Sequence, residues 1–171
     1  LSFFYCHKTL ISLRNSEETE IRLPAKWFCT IMGTLKNERL EDKKMSRLSV
    51  VLPAYNEELM VGKTCRVLHE VLTEAGISYE LVLVDDGSND RTWEEITKAG
   101  EKDANILGVH FSRNFGKEAA VYAGLAQATG DVVAVMDCDL QHPPETLIPM
   151  YHLWEEGWEV IEGVKKSRGT E

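Results

Sequence analysis

The segment Asp137-Cys138-Asp139-Leu140-Gln141 sets two carboxylates and an amide at alternate positions, directly behind the apolar run Val132-Val133-Ala134-Val135-Met136. Carboxylate and amide oxygens suit hard divalent cations such as Mg²⁺ or Mn²⁺. A cation held by few protein ligands keeps positions open for the phosphates of a substrate. Asp-x-Asp alone is also ordinary loop chemistry. Two further polar clusters, however, follow apolar runs: Pro53-Ala54-Tyr55-Asn56-Glu57 and Asp85-Asp86-Gly87-Ser88. If the three runs are strands of one sheet, the clusters converge on one edge, and the chemistry they could share is binding of nucleotide phosphates.

The elements that must position these clusters alternate from Leu48 onward. Leu48–Leu52 is a β-rich run stopped by Pro53, and Glu57 to about Glu74 has apolar residues near helical spacing, closed by Gly76. Tyr79–Val84 reads as the second strand, followed by a helix that Ser88 or Asn89 can cap and Gly100 ends. Ile106–Phe111 is the third strand, and a small-residue helix runs from about Lys117 to Ala128, with Gly130 after it. Val132–Met136 is the fourth strand, Pro143-Pro144 opens a helix through Trp154, and Val160-Ile161 is a candidate fifth strand. Such alternation predicts an α/β fold with a mostly parallel sheet and helices on both faces. In open sheets of this kind ligands bind beyond the carboxyl ends of the strands, which is where the three clusters fall. The first βα turn has no G-x-G-x-x-G, so dinucleotide binding of the Rossmann type is disfavoured.

With 171 residues the chain has room for about one domain. The net charge of −9 lies in the body from Leu48 onward, while the stretch before it is mildly basic. An acidic body argues against a nucleic-acid partner. It does not forbid anionic nucleotides, because a bound divalent ion inverts the local field. Cys6, Cys29, Cys65 and Cys138 are widely spaced without C-x-x-C or a His cluster, which excludes the usual zinc and disulfide patterns and fits reduced thiols. No run nears the ~18 apolar residues of a membrane span. Residues 1–44 read as an N-terminal extension, poorly ordered, not native, or a helix or tail, with Met45 a candidate start. Glu171 falls in a polar run with no sign of an ending, which reads as a domain truncated on its C-terminal side.

Four motifs in order, Leu52-Pro53-Ala54-Tyr55-Asn56-Glu57, Val84-Asp85-Asp86-Gly87-Ser88-Asn89-Asp90-Arg91-Thr92, Ser112-Arg113-Asn114-Phe115-Gly116-Lys117-Glu118 and Met136-Asp137-Cys138-Asp139-Leu140-Gln141, resemble family 2 glycosyltransferases. Within that family the chain looks most like the polyprenyl-phosphate branch, the bactoprenol glucosyltransferases and dolichol-phosphate mannose synthases, over about residues 47–171, with the catalytic domain expected at 45–171. The resemblance implies a GT-A fold and inverting transfer of a hexose from a nucleotide-sugar donor, UDP-glucose or GDP-mannose, to a polyprenyl phosphate. It also implies a catalytic domain at the cytoplasmic face of the cell membrane, attached through a C-terminal region. It assigns the nucleoside to Pro53, Ala54, Tyr55, Glu57, Val84 and Asp86, with Asp137 and Cys138 beside the donor. Asp139 and Gln141 become the metal ligands for Mg²⁺ or Mn²⁺, and Asp137 and Asp139 the catalytic pair. Arg113 and Lys117 offer positive charge for the sugar, the diphosphate or an acidic neighbour. Lys165 stands where the family has an arginine on donor phosphate, with Arg168 as the alternative.

Each assignment has a plainer counterpart. Asp85-Asp86-Gly87-Ser88 also reads as a turn and helix cap, Arg113 and Lys117 as structural ion pairs, and Cys138 and His142 as filler and loop residues. A lipid monophosphate is already an anionic nucleophile and needs positioning more than deprotonation. A glycan hydroxyl acceptor would need a carboxylate base, which the family carries beyond this segment. A phosphohydrolase using Asp137 and Asp139 is a weaker alternative, since its Asp-x-Asp would be expected after the first strand. A nucleotide-binding module without catalysis is the remaining one.

Overall fold

The computed structural model describes residues 2–6, 9–13 and 46–163. Its strands are β1 (Ser2–Cys6), β2 (Thr9–Leu13), β3 (Arg47–Ala54), β4 (Ser78–Asp85), β5 (Ile106–His110) and β6 (Val132–Val135). The helices are α1 (Val61–Glu74), α2 (Thr92–Lys102), α3 (Lys117–Gln127) and α4 (Leu147–Glu155), the last preceded by a 3₁₀ turn at Pro144–Thr146. They form one sheet in the order β2-β1-β6-β3-β4-β5. The β6-β3-β4-β5 ladder is parallel throughout, and β1 and β2 continue it antiparallel beyond β6, with Phe4 opposite Ala134.

Strand alternation sorts the apolar residues into two cores. Leu48, Val50, Leu52, Leu81, Leu83, Val132 and Ala134 belong to the core that includes Val61, Leu68 and Leu72 of α1, Ile96 of α2 and Leu147 of α4. Val51, Val82, Val84, Val133 and Val135 belong to the other, with Ala120 of α3. Burial on both faces is what the continuously apolar strands require. Helix α3 approaches closely because Gly124 faces the sheet: a Cβ there would overlap Val51 Cγ1. At the amino end of the strands, Glu80 is 6% exposed and accepts hydrogen bonds from Ser49 Oγ (2.5 Å), Thr129 N–H (2.6 Å) and Thr129 Oγ1 (2.8 Å). That carboxylate ties β3 and β4 to the loop entering β6.

Three sequence expectations change. Val160-Ile161 is not a strand: Ile161 tucks into the core, Val160 is exposed, and the segment forms no ladder. Helix α1 begins at Val61, not Glu57, because the backbone amides before it are held by side chains of another loop. Ser88 and Asn89 do not cap α2. Asp90 lies at its start, where Oδ1 accepts the Thr92 N–H (2.9 Å) and hydroxyl (2.5 Å). Two strands also lie within the stretch expected as an extension or tail. Lys165 and Arg168 lie outside the described residues.

Candidate functional site

The loops after β3 and β4 hold each other by side chain to backbone bonds. Asn56 N–H donates to Ser88 Oγ (2.9 Å), Glu57 N–H to Thr92 Oγ1 (2.7 Å) and Glu58 N–H to Asp90 Oδ2 (3.2 Å). In return, Asn89 N–H donates to Asn56 Oδ1 (2.9 Å) and Arg91 N–H to Glu58 Oε2 (3.0 Å). Asn56 takes φ +56°, a left-handed conformation that asparagine tolerates, to start this exchange. Tyr55 and Glu57 are thereby fixed relative to Asp86.

Asp85 and Asp86 point to different tasks. Asp85 is fully buried and accepts from Ser88 N–H (3.0 Å) and His110 Nδ1 (2.7 Å). Asp86, 3% exposed, accepts Phe115 N–H at Oδ1 (2.7 Å) and Gly116 N–H at Oδ2 (2.9 Å), which anchors the loop that leads into α3. A carboxylate has about four lone-pair sites, so both oxygens keep acceptor capacity toward a ligand.

Beyond β6 the chain turns sharply. Leu140 adopts φ +57°, and Gln141 N–H donates to Asp139 Oδ1 (2.9 Å). A leucine there costs roughly 1–2 kcal/mol, so the turn around Asp139 is held against its own strain. Thr64 of α1 donates its hydroxyl to the Cys138 carbonyl (2.6 Å) and fixes the loop from below.

These segments enclose a cleft of about 340 Å³ at the carboxyl edge of the sheet. Pro53, Ala54, Tyr55, Glu57, Asp86, Lys117, Asp137, Cys138 and Asp139 all line it, as the motifs led one to expect. Asn114, Gly116 and Ala120 join them; they were not singled out from sequence, although Asn114 and Gly116 stand inside the motif that contains Lys117. Val84 is instead fully buried in the α3-side core, and Gln141 is exposed beyond the cleft wall. Lys117 Nζ lies 2.5 Å from Asp137 Oδ1. Burial pushes the Glu57 carboxyl above its ordinary value, and the negative charges of Asp139, Asp90 and Asp137 push it further. The floor of the cleft is therefore an anionic field met, among the described residues, by one lysine.

That donor set suits a hard cation: oxygen ligands in excess of positive charge, beside open volume. Among the described residues no three His, Cys, Asp or Glu side chains close into a cage.

A parallel α/β sheet with a carboxylate-rich cleft beyond its strands fits the GT-A fold, and comparisons with known proteins show the family. The model of the family described as "Glycosyl transferase family 2" matches residues 49–169, and the chain belongs to that family. It is 42% identical over 123 residues to the "Uncharacterized glycosyltransferase YkcC" of Bacillus subtilis, covering 72% of this chain and 38% of that protein. Against the "Undecaprenyl-phosphate 4-deoxy-4-formamido-L-arabinose transferase" of Pseudomonas aeruginosa it is 38% identical, covering 71% and 36%. The chain thus spans under two-fifths of the length of these relatives. Among solved structures it resembles the mannosyltransferase PcManGT from Pyrobaculum calidifontis in complex with GDP-Man and Mn²⁺ (TM-score 0.50, 26% identity, 57% of this chain and 28% of that one). S. aureus TarS 1–349 in complex with UDP is similar at TM-score 0.50, with 27% identity over 64% of this chain and 32% of that one. Among the described residues no helix is long and apolar enough to cross a membrane.

Proposed function

We propose that this chain forms the donor-binding part of an inverting hexosyltransferase that moves a sugar, glucose from UDP-glucose, to a polyprenyl phosphate at the cytoplasmic face of a membrane. The observation that carries this reading is the single cleft joining Tyr55, Asp86 and Lys117 to the Asp137–Asp139 turn. Tyr55 offers a ring face to the base and Asp86 accepts from base N–H groups. Asp139 and Gln141 would hold Mg²⁺ or Mn²⁺. When bound, that ion supplies charge compensation for the diphosphate.

Lys117, which pairs with Asp137 in the free protein, would turn to a donor phosphate. An oxygen of the acceptor monophosphate attacks the anomeric carbon from the face opposite the diphosphate. The bond from that carbon to the diphosphate oxygen breaks with its electron pair, and the anomeric configuration inverts. No proton has to leave a phosphate nucleophile. The kinship with undecaprenyl-phosphate transferases supports the acceptor class.

Calorimetric titration with UDP and GDP, with and without Mn²⁺, tests the reading. Metal-dependent UDP binding that Asp139→Ala abolishes is the expected result. Preference for GDP redirects the donor to GDP-mannose. Metal-independent binding of both nucleotides, equal in Asp139→Ala, refutes the assignment of the Asp137–Asp139 turn.

A further inference from the structure

A second pocket of about 310 Å³ opens next to the donor cleft, with Tyr55 and Asn114 as common wall. Its remaining polar lining comes from Ser88, Asn89, His110, Ser112 and Arg113. Among the described residues no carboxylate lines it, although the body of the chain is strongly acidic. The floor of the neighbouring cleft, by contrast, is built on Glu57, Asp86, Asp137 and Asp139.

His110 is held there on two sides. Its Nδ1 lies 2.7 Å from Oδ2 of Asp85, whose side chain is fully buried, and its ring stacks on Trp93 at 4.8 Å between centroids and 29° between planes. A buried carboxylate makes Nδ1 the proton-bearing nitrogen and leaves Nε2 the acceptor of the ring, able to take the P–OH proton of a phosphate monoanion in a hydrogen bond. The imidazole is 43% exposed, and Nε2 makes no hydrogen bond among the described residues. Arg113 is also oriented: its guanidinium carbon sits 4.8 Å above the Phe115 ring. The Arg113 backbone itself is pinned, since Gly87 (φ +66°) packs so closely on it that a Cβ would overlap its carbonyl carbon.

A structural His–Asp pair would account for the imidazole geometry alone. It would not account for an arginine, the Ser88 and Ser112 hydroxyls and the Asn89 and Asn114 amides lining the same hollow. Planar fork donors with hydroxyl and amide donors are what a tetrahedral oxyanion requires.

We propose that this pocket is an oxyanion site for a phosphate monoester or inorganic phosphate, separate from the donor cleft. It is built on His110, Arg113, Ser88 and Ser112, and it stands whether or not the donor reading does. The phosphate can come from a lipid headgroup or from solution.

Titration of the chain with inorganic phosphate at constant ionic strength, read by calorimetry and by the His110 imidazole resonances, tests it. Saturable binding is expected, about tenfold weaker in Arg113→Ala, as for loss of one charge-assisted hydrogen bond, weaker also in His110→Gln, and unchanged in Asp139→Ala. Arg113 is exposed, so its alanine variant keeps the test open if His110→Gln fails to fold. No saturation at millimolar phosphate overturns the proposal, as does weakening by Asp139→Ala with none from Arg113→Ala. Co-sedimentation with phosphatidylcholine vesicles that requires both phosphatidic acid and Arg113 supports the site with a lipid source. Phosphate binding without vesicle binding supports it with a soluble one.

Discussion

Glu80→Gln removes a charge from the amino edge of the sheet without changing side-chain size. In the native protein the carboxylate receives three short hydrogen bonds, from Ser49 Oγ, Thr129 N–H and Thr129 Oγ1. Arg47 lies at 3.5 Å but is 37% exposed on its side chain, so its share is small. A buried hydrogen bond to a charged group is worth roughly 1.5–3 kcal/mol against about 1 kcal/mol for a neutral one. Three such bonds weakened, one of them set against an amide N–H, give a loss of about 3 kcal/mol. With a urea m-value of about 1.5 kcal/mol/M, the unfolding midpoint falls by about 2 M. Burial pushes the Glu80 carboxyl up, but the bonds from Ser49 and Thr129 and the Arg47 charge outweigh it and hold the group below its ordinary value. The stabilisation is then fully present above the unfolded-state value, about pH 4.3, and is lost as pH falls through the lower native one. The gap between wild type and variant is therefore constant from neutral pH to about pH 5 and closes in stronger acid. A midpoint within about 0.3 M of wild type at pH 7, or a gap that widens in acid, refutes the reasoning.

Gly124→Ala forces a methyl against Val51 Cγ1 and Val84 Cγ2, and overpacking of this kind costs roughly 1–3 kcal/mol. Thermal denaturation should show a lowered Tm, and an unchanged one would contradict the close approach of α3. Burial pushes the Cys65 thiol up to about 11 and the Cys138 thiol up to about 12. Residue-resolved mass spectrometry should therefore find both unlabelled by iodoacetamide at pH 8 in the native protein and labelled in urea, and labelling of native Cys138 at the rate of a free thiol would show its loop to be open.

The parallel core was legible because β3, β4 and β6 are largely apolar runs and because each is followed by a polar cluster. Local rules failed where the partner is remote. The start of α1 was misplaced because the amides of Asn56, Glu57 and Glu58 are satisfied by Ser88, Thr92 and Asp90, more than thirty residues on. His110 gave no signal, since a lone histidine at a strand end acquires meaning only from Asp85 on the adjacent strand. The pairing of Ser2–Cys6 with β6 likewise joins segments about 130 residues apart. Val160-Ile161 had the residue types of a strand, but so short a run carries no periodicity to decide the matter.

The glycine seam between α3 and β3 sets more than a packing distance. Gly124 lies seven residues, about 10.5 Å along the helix axis, from Lys117, whose ammonium meets Asp137 at the far end of the same helix. With no side chain of its own, Gly124 acts as a notch into which the Val51 methyls drop, and a notch admits only one alignment. A slip by one turn would shift the lysine by about 5.4 Å, twice the length of its contact with Asp137. The helix therefore behaves like an indexed shaft: a detent at one end determines where a positive charge stands at the other.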